Sequence, residues 1–428
     1  MRPAVALVAV SCLVGVSATG ANIRSAATAQ RVADADGKAM AERVARDLGR
    51  RPDAWVLFAR GEREAQRKLL DGVRSFDTSI PLVGCDTRTG AFAVAATSIV
   101  GEVLLIGLAG EGVSFRAAMT HFPRGRDLPA AARDLASTLK PARDAGLLLL
   151  MSDAIVSHHY QHDPVKMYAA LREVLGPHVG VVGGNAAYGG KPVYHDGMIS
   201  DKALVGLMIA GDMDFAVVQE PGKVAISSPL AVTKTSGARQ IVELDGRPVV
   251  DVYRETLGRR FDLREFDRLV NKGGGGFGRI SRRFPHALLT NRGELFVRLA
   301  HGLAPWGEGR NLPVECYDLR DGDRTMVITR LADDQLGCVR RGMSRLTRTL
   351  RARNSLYLLF PCESNGFLMK EDARAFLSAV KAELPDGATA FGFMPCGEHC
   401  SLYEPDMDAE VGPARYYQLS YPMASVSD

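Results

Sequence analysis

The sequence predicts an α/β fold of mixed parallel and antiparallel sheets with helices, arranged in two halves. Three observations carry this. Strand–helix–strand units recur along the chain, and hairpin-like apolar strands with Gly-Asp and Asp-Gly turns lie between them. The units also keep a constant spacing: Gly84 to Gly183 and Gly107 to Gly206 both span 99 residues, so an internal duplication is expected.

Taken in order, Met1-Arg2, the apolar run Ala4–Val16 and the small residues Val16-Ser17-Ala18 read as a secretory signal peptide over residues 1–20. An ordinary apolar strand is the alternative. The run is shorter than the ~18–20 residues a spanning helix requires, and no later segment reads as transmembrane. The first unit is a strand at 54–59, a helix at 62–75 and a strand at 81–85. The second is a strand at 146–151, a helix at 164–175 opened by Pro164, and a strand at 179–183. Each is followed by a similar apolar strand, at 103–110 and 203–211. A third copy reads as a strand at 356–361, a helix at 371–384 and a strand at 389–395. In that helix Ala373, Phe376, Leu377 and Val380 give spacings of three and four. Units of this kind build parallel pairs with right-handed crossovers. Pro248 opens a short helix whose end at Gly258 calls for a residue without a Cβ. The run Arg340–Arg353 puts Arg341, Arg345 and Arg348 on one helical face and Met343, Leu346 and Leu350 on another, which is a solvated amphipathic helix.

Composition narrows the classes. With 46% hydrophobic and 24% charged residues, the 428-residue chain is an ordinary globular protein long enough for two or three domains. A net charge of +4 is too diffuse to imply nucleic acid. Six cysteines remain after the leader: Cys85, Cys316, Cys338, Cys362, Cys396 and Cys400. In an exported protein they permit disulfides; otherwise they are small buried hydrophobes.

In open α/β sheets ligands bind beyond the carboxyl ends of parallel strands. The second strands of the three units end at Cys85-Asp86, at Gly183-Gly184-Asn185 and at Cys396-Gly397-Glu398; two first strands end at Ser152-Asp153 and Cys362-Glu363. The candidate ligand residues are therefore Cys85, Asp86, Asp153, Gly183, Gly184, Asn185, Cys362, Glu363, Gly397 and Glu398. For Asp86 and Asn185 the competing reading is a turn former bonded to its own backbone. Candidate metal ligands are His158, His159 and His162, which otherwise form an exposed polar loop. Cys396, His399 and Cys400 are the others, read alternatively as a local disulfide, free thiols or packing. Cys362 as a nucleophile meets an adjacent Glu363, which would raise its pKa, and no oxyanion motif. The stretch Lys272–Gly278 contains G-x-G-x-x-G without a preceding strand. It reads as a flexible loop where Arg279, Arg282 and Arg283 could help hold an anion.

The segment Val181–Leu257 contains VVGGN, then DGMISDKALVGLMIAG, then ELDG-x-P-x-x-D-x-Y-x-x-x-LG. With AWVLFARG at 54–61, LLLLMSDA at 147–154, LYLLFPCESNG at 356–366 and FGFMPCGEHC at 391–400, it resembles the FIST domain family. Those domains are ligand-sensing modules of bacterial signal transduction. The resemblance implies an N-terminal half at 21–245, a C-terminal half at 246–412 and a tail at 413–428. It implies a non-enzymatic sensor that binds an amino acid or related metabolite in a cleft between the halves, or haem as a nitric-oxide sensor. Cys362 and the 396–400 cluster leave a thiol or metal hydrolase as the rival. No kinase, cyclase or methyl-accepting segment is present, so the output is expected to pass through a separate partner protein. The location is periplasmic or secreted if the leader is cleaved, and cytoplasmic otherwise.

Overall fold

The structure is a computed structural model. It describes residues 22–31, 35–95, 98–122, 128–142, 145–153, 156–157, 160–161, 164–186, 191–220, 223–236, 240–258, 260–289, 295–298, 314–315, 321–330, 335–350, 355–362, 373–395, 397–401, 415–417 and 421–427. Backbone contacts divide the chain into two units. Unit 1 holds residues 1–220, 336–416 and 421–428, and unit 2 holds residues 221–335 and 417–420. These units differ from the division at 245 and 246, because strands from both ends of the chain pair in the same sheets.

Unit 1 opens with β1 (Asn22–Gln30), α1 (Gly37–Leu48), β2 (Ala54–Ala59), α2 (Arg63–Phe76) and β3 (Leu82–Asp86). The hairpin β4 (Ala91–Val94) and β5 (Ser98–Gly101) and the strand β6 (Val103–Glu111) follow. The next stretch has the same order: β7 (Val113–His121), α3 (Leu128–Leu139), β8 (Ala145–Ser152), the short hairpin β9 (Val156–Ser157) and β10 (Tyr160–Gln161), α4 (Pro164–Leu175) and β11 (His178–Asn185). It closes with β12 (Val193–His195), β13 (Met198–Ser200) and β14 (Ala203–Gly211). A third pass starts at β15 (Asp214–Glu220), after which the chain enters unit 2.

Unit 2 is built on an eight-stranded sheet. Its elements are β16 (Lys223–Ala225), β17 (Leu230–Thr235), β18 (Gln240–Leu244), β19 (Arg247–Pro248), α5 (Val249–Leu257), α6 (Leu263–Val270), α7 (Gly274–Arg283), β20 (His286–Leu289), β21 (Leu295–Arg298), β22 (Val314–Glu315) and β23 (Arg324–Arg330). Two expectations are corrected here. The glycine-rich stretch is the start of helix α7, not a loop: Phe277, Ile280 and Phe284 recur at helical spacing and are buried. Gly276 is small for a packing reason, since a Cβ there would lie 1.9 Å from the Leu269 carbonyl oxygen. Gly258 ends α5 with φ −56°, so it supplies no left-handed cap.

The third pass resumes with α8 (Gln335–Leu350), β24 (Ser355–Leu359), α9 (Ala373–Glu383), β25 (Thr389–Phe393), β26 (Glu398–Cys400), β27 (Arg415–Tyr417) and β28 (Tyr421–Ser427). Residues 413–428, read from sequence as a tail, therefore include a strand that pairs with both β15 and β24. Arg341 and Arg345 of α8 reach Glu220 at 3.4 and 3.9 Å while Met343 and Leu346 are buried, which is the amphipathic division the sequence predicts.

Three six-stranded sheets result, in the orders β1-β6-β2-β3-β12-β13, β7-β14-β8-β11-β26-β27 and β15-β28-β24-β25-β4-β5. In each the central pair is parallel, β2 with β3, β8 with β11 and β24 with β25, and the other neighbour of each central strand is antiparallel. Each sheet takes its last two strands from another pass, so the three exchange hairpins cyclically. Helices α1 and α2 cover one face of the first sheet around Trp55, Leu57 and Tyr194, and α8 and α9 cover the third around Tyr357 and Leu359. On the opposite faces the Phe58 ring of the first sheet meets Phe391 and Phe393 of the third at 6.4 and 4.9 Å. No helix among the described residues is long and apolar enough to cross a membrane.

One detail recurs in all three sheets. Gly84, Gly183 and Gly392 pair in parallel with Leu57, Leu150 and Leu359, and a Cβ on any of them would lie 1.7–2.0 Å from that leucine's carbonyl oxygen. Opposite them on the antiparallel neighbour stand Tyr194, His399 and Phe92. His399 is the imidazole in a position that is otherwise Tyr or Phe.

Candidate functional site

The second sheet gathers polar side chains at the carboxyl ends of its parallel strands. Its register places Asn185 beside Ser152, Gly184 beside Glu398 and Gly183 beside His399. The glycines allow this approach: at Gly183 φ is +140°, and a Cβ on Gly184 would lie 2.3 Å from the Pro395 side chain. The Asn185 N–H donates to the Gly397 carbonyl at 2.9 Å, and the Ala186 N–H to the Ser152 carbonyl at 2.7 Å. Asp153, just past β8, accepts from the Lys202 N–H at 2.8 Å, and its own N–H donates to the Ala203 carbonyl.

A hydrogen-bonded chain runs behind this edge. Ser152 Oγ lies 2.5 Å from Asn185 Oδ1 and 3.0 Å from His399 Nε2, and the Tyr168 hydroxyl of α4 lies 2.6 Å from His399 Nδ1. Ser152, Asn185, Glu398 and His399 are fully buried. Burial lowers His399 to about 3, so the ring is neutral at neutral pH. Alternation along β26 sends Glu398 and Cys400 to one face and His399 to the other. Burial, then the Glu398 charge, pushes the Cys400 thiol up, and its sulfur lies 3.4 Å from the Ser401 carbonyl oxygen.

Cys85 and Asp86 occupy the corresponding edge of the first sheet, Asp86 two residues beyond Gly84 as Asn185 is beyond Gly183. Asp86 accepts from the Gln66 amide of α2. Burial raises its carboxyl, opposed by that hydrogen bond and by the charges of Lys191 and Arg60. Burial and the Asp86 charge push the Cys85 thiol up.

The predicted residues thus fall into groups. Gly183, Gly184, Asn185, Gly397 and Glu398 are brought together, with Asp153 at the end of the neighbouring strand. Cys85 and Asp86 lie on another sheet, and buried Cys362 follows β24 of the third. Glu363, His158, His159, His162 and Cys396 lie outside the described residues. All the described members belong to unit 1. His399 and Cys400 do not form a shared ligand set: they face opposite ways, and both His399 nitrogens face hydroxyl groups. Among the described residues Cys85, Cys338, Cys362 and Cys400 form no disulfide with one another, and no group of three metal-ligating side chains occurs. Tyr168 and Gln66 were missed by sequence reasoning, because a tyrosine or glutamine at helical spacing reads as packing or as surface. Ser152 was recognised at its strand end but not as the hub of the network.

A comparison with curated proteins finds no match. In structure the chain is similar to cyanuric acid hydrolase from A. caulinodans, at 12% identity, over 45% of this chain and 71% of that one, with a TM-score of 0.24. It is similar also to phosphoribosylformylglycinamidine synthase II from Thermotoga maritima, at 11% identity, over 97% and 74%, with a TM-score of 0.21. Residues 53–247, which run from β2 through β18, match the family model of the FIST N domain, which is consistent with a FIST-domain protein.

Proposed function

We propose that unit 1 senses a small polar metabolite of the amino-acid type at the carboxyl edge of β8, β11 and β26, and passes the signal to a separate partner protein. A FIST domain is a sensory domain of signal transduction, which supports the general role. The observation that carries the site is the group Ser152, Asn185 and His399 on one face of the strand ends, with Asp153 just past β8 and Glu398 on the other face, all buried where α/β sheets take ligands. Even when paired, a buried hydrogen bond adds only ~0.5–1.5 kcal/mol, so stability alone is a weak reason to gather so many polar groups at one edge, which supports a role in recognition. The reading is non-enzymatic: burial holds the Cys85 and Cys400 thiols away from the thiolate that thiol chemistry requires.

A thermal-shift screen with amino acids, related metabolites and haemin tests this. A ligand at a hundred times its Kd stabilises by ~2.7 kcal/mol, about 2–4 °C for a chain of this size. Shifts confined to amino acids or their relatives are expected. A screen in which only haemin acts would favour the second reading.

That second reading rests on His286 of unit 2. Its Nδ1 lies 3.2 Å from Thr325 Oγ1, which donates to the Ala287 carbonyl at 2.8 Å, so Nδ1 carries the ring proton. Nε2 then holds a lone pair with no hydrogen-bond partner among the described residues, in a fully buried ring 5.3 Å from Tyr253. A neutral imidazole held in this way fits an axial ligand of haem; His399, with both nitrogens engaged, does not. Haem, when bound, would supply the iron that takes nitric oxide. Haemin added to the protein should then give a Soret band that His286→Ala abolishes; an identical band in that variant would remove this reading.

A further inference from the structure

Two threonine hydroxyls just past β3 are buried without hydrogen bonds. Neither Thr87 Oγ1 nor Thr89 Oγ1 has a partner among the described residues, and Thr87 is fully buried. Such groups are rare in native structures, because each loses its hydration with no hydrogen bond in return.

The register of the first sheet shows what stands beside Thr87. In the parallel pair Phe58 lies opposite Cys85 and Ala59 opposite Asp86, so Arg60 comes level with Thr87. In the antiparallel pair Val193 lies opposite Cys85, so Lys191 also comes level with Thr87. The backbone follows both ladders this far. The Thr87 N–H donates to the Ala59 carbonyl at 3.3 Å, and the Asp86 N–H to the Pro192 carbonyl at 2.9 Å. Residues level with one another share a face of the sheet, so Thr87 stands between an arginine and a lysine. Alternation sends Asp86 to the opposite face, where it accepts from Gln66 of α2. Burial raises the Asp86 carboxyl, and the charges of Lys191 and Arg60, among the opposing effects, mark both cations as close.

Both cations can be reached from solvent. Arg60 is exposed, with Glu102 at 3.9 Å, and Lys191 is half-buried and makes no ion pair among the described residues. The second sheet lacks this row. By its register Asp153 comes level with Ala186, so a carboxylate and a methyl group stand in place of Arg60 and Thr87.

We propose that Arg60, Thr87 and Lys191 form an anion site at the carboxyl end of β2 and β3, separate from the edge of β8, β11 and β26. It takes an oxyanion group, carboxylate or phosphate, of a small molecule. The two positive side chains draw the anion to the strand ends, where the Thr87 hydroxyl donates to it and Thr89 supplies a second donor.

The test is thermal melting of the full chain titrated with succinate or inorganic phosphate against sodium chloride at constant ionic strength. In the wild type at least one of the two anions should raise the melting temperature saturably, and the one that acts identifies the group. Lys191→Gln and Thr87→Val should each weaken the apparent affinity about ten-fold or more, as the loss of a charge-assisted hydrogen bond does. Lys68→Gln removes an equal charge from the exposed side of α2 and should leave the affinity unchanged. Thr87→Val has a second readout. Without added anion it should melt no lower than the wild type, since valine fills the same space and buries no unpaired hydroxyl. No shift with either anion, an equal shift in Thr87→Val and Lys191→Gln, or an equal loss in Lys68→Gln would overturn the proposal. So would a lower melting temperature of anion-free Thr87→Val, which would show the hydroxyl already engaged in the fold.

Discussion

Gly183→Ala is expected to destabilise unit 1 by at least about 4 kcal/mol, among the larger losses a single substitution causes. Two effects coincide there. The backbone sits at φ +140°, which L side chains rarely adopt, and the new Cβ would lie 2.0 Å from the Leu150 carbonyl oxygen. That oxygen belongs to the parallel partner strand and cannot withdraw without opening the β8–β11 ladder. Gly84→Ala and Gly392→Ala meet the same obstruction in the other two sheets, at 1.8 Å from Leu57 and 1.7 Å from Leu359. Gly176→Ala is the control: φ is +87° but no atom stands within 4 Å, so only the strain of ~1–2 kcal/mol applies. Urea unfolding of the four variants would show this ranking. A Gly183→Ala protein as stable as Gly176→Ala would contradict the close approach of the central strands.

The second large effect is a loss of stability in mild acid. His286 and His399 are each held at about 3 by burial, against 6.5 for the ordinary side chain. As pH falls below 6.5 the unfolded chain takes up these protons and the folded chain does not. The stability contributed by each neutral ring is complete above that pH and is lost progressively down to about 3. At pH 5 the loss is about 2 kcal/mol for each histidine. One ring lies in each unit, so both units should weaken. Asp86 works in the opposite sense, since its raised carboxyl releases its proton late in the folded state and so favours the fold at lower pH. Urea midpoints at pH 7 and pH 5, compared between the wild type and His399→Gln, separate these contributions. An unchanged difference between the two pH values in the variant would show that His399 is not held neutral by burial.

Much of the fold is legible in the sequence because its signals are local. The strand–helix–strand units around α2, α4 and α9 follow from apolar runs, helical spacing and turn residues, and their ends lie within two residues of the expected positions. What was illegible is non-local. Nothing in three-residue strands such as Val193–His195 or Glu398–Cys400 says that they pair with a sheet from another pass of the chain. The strand Asn22–Gln30 lacks bulky apolar residues apart from Ile23, and Pro422 with Ser425 and Ser427 hides the alternation of Tyr421–Ser427. Helix Gly37–Leu48 carries local signals, an Asp36 cap and Met40, Ala41, Val44 and Leu48 on one buried face, which stand close to the run that reads as a leader. At the site, strand ends were readable and contacts were not. His399 has the residue type of a metal ligand, and only the register opposite Gly183 shows it as part of a hydrogen-bonded chain.

The most direct test of the sensory site is calorimetric titration of the metabolite that shifts the wild-type melting temperature furthest. It would be run on the wild type, Asn185→Ala, Glu398→Gln and, in unit 2, His286→Ala. Loss of one hydrogen bond to a bound ligand costs ~1–3 kcal/mol, so affinity should fall about ten- to a hundred-fold in the first two variants and stay unchanged in the third. Unchanged affinity in folded Asn185→Ala and Glu398→Gln, with a loss confined to His286→Ala, would place the ligand away from the edge of β8, β11 and β26 and contradict the account.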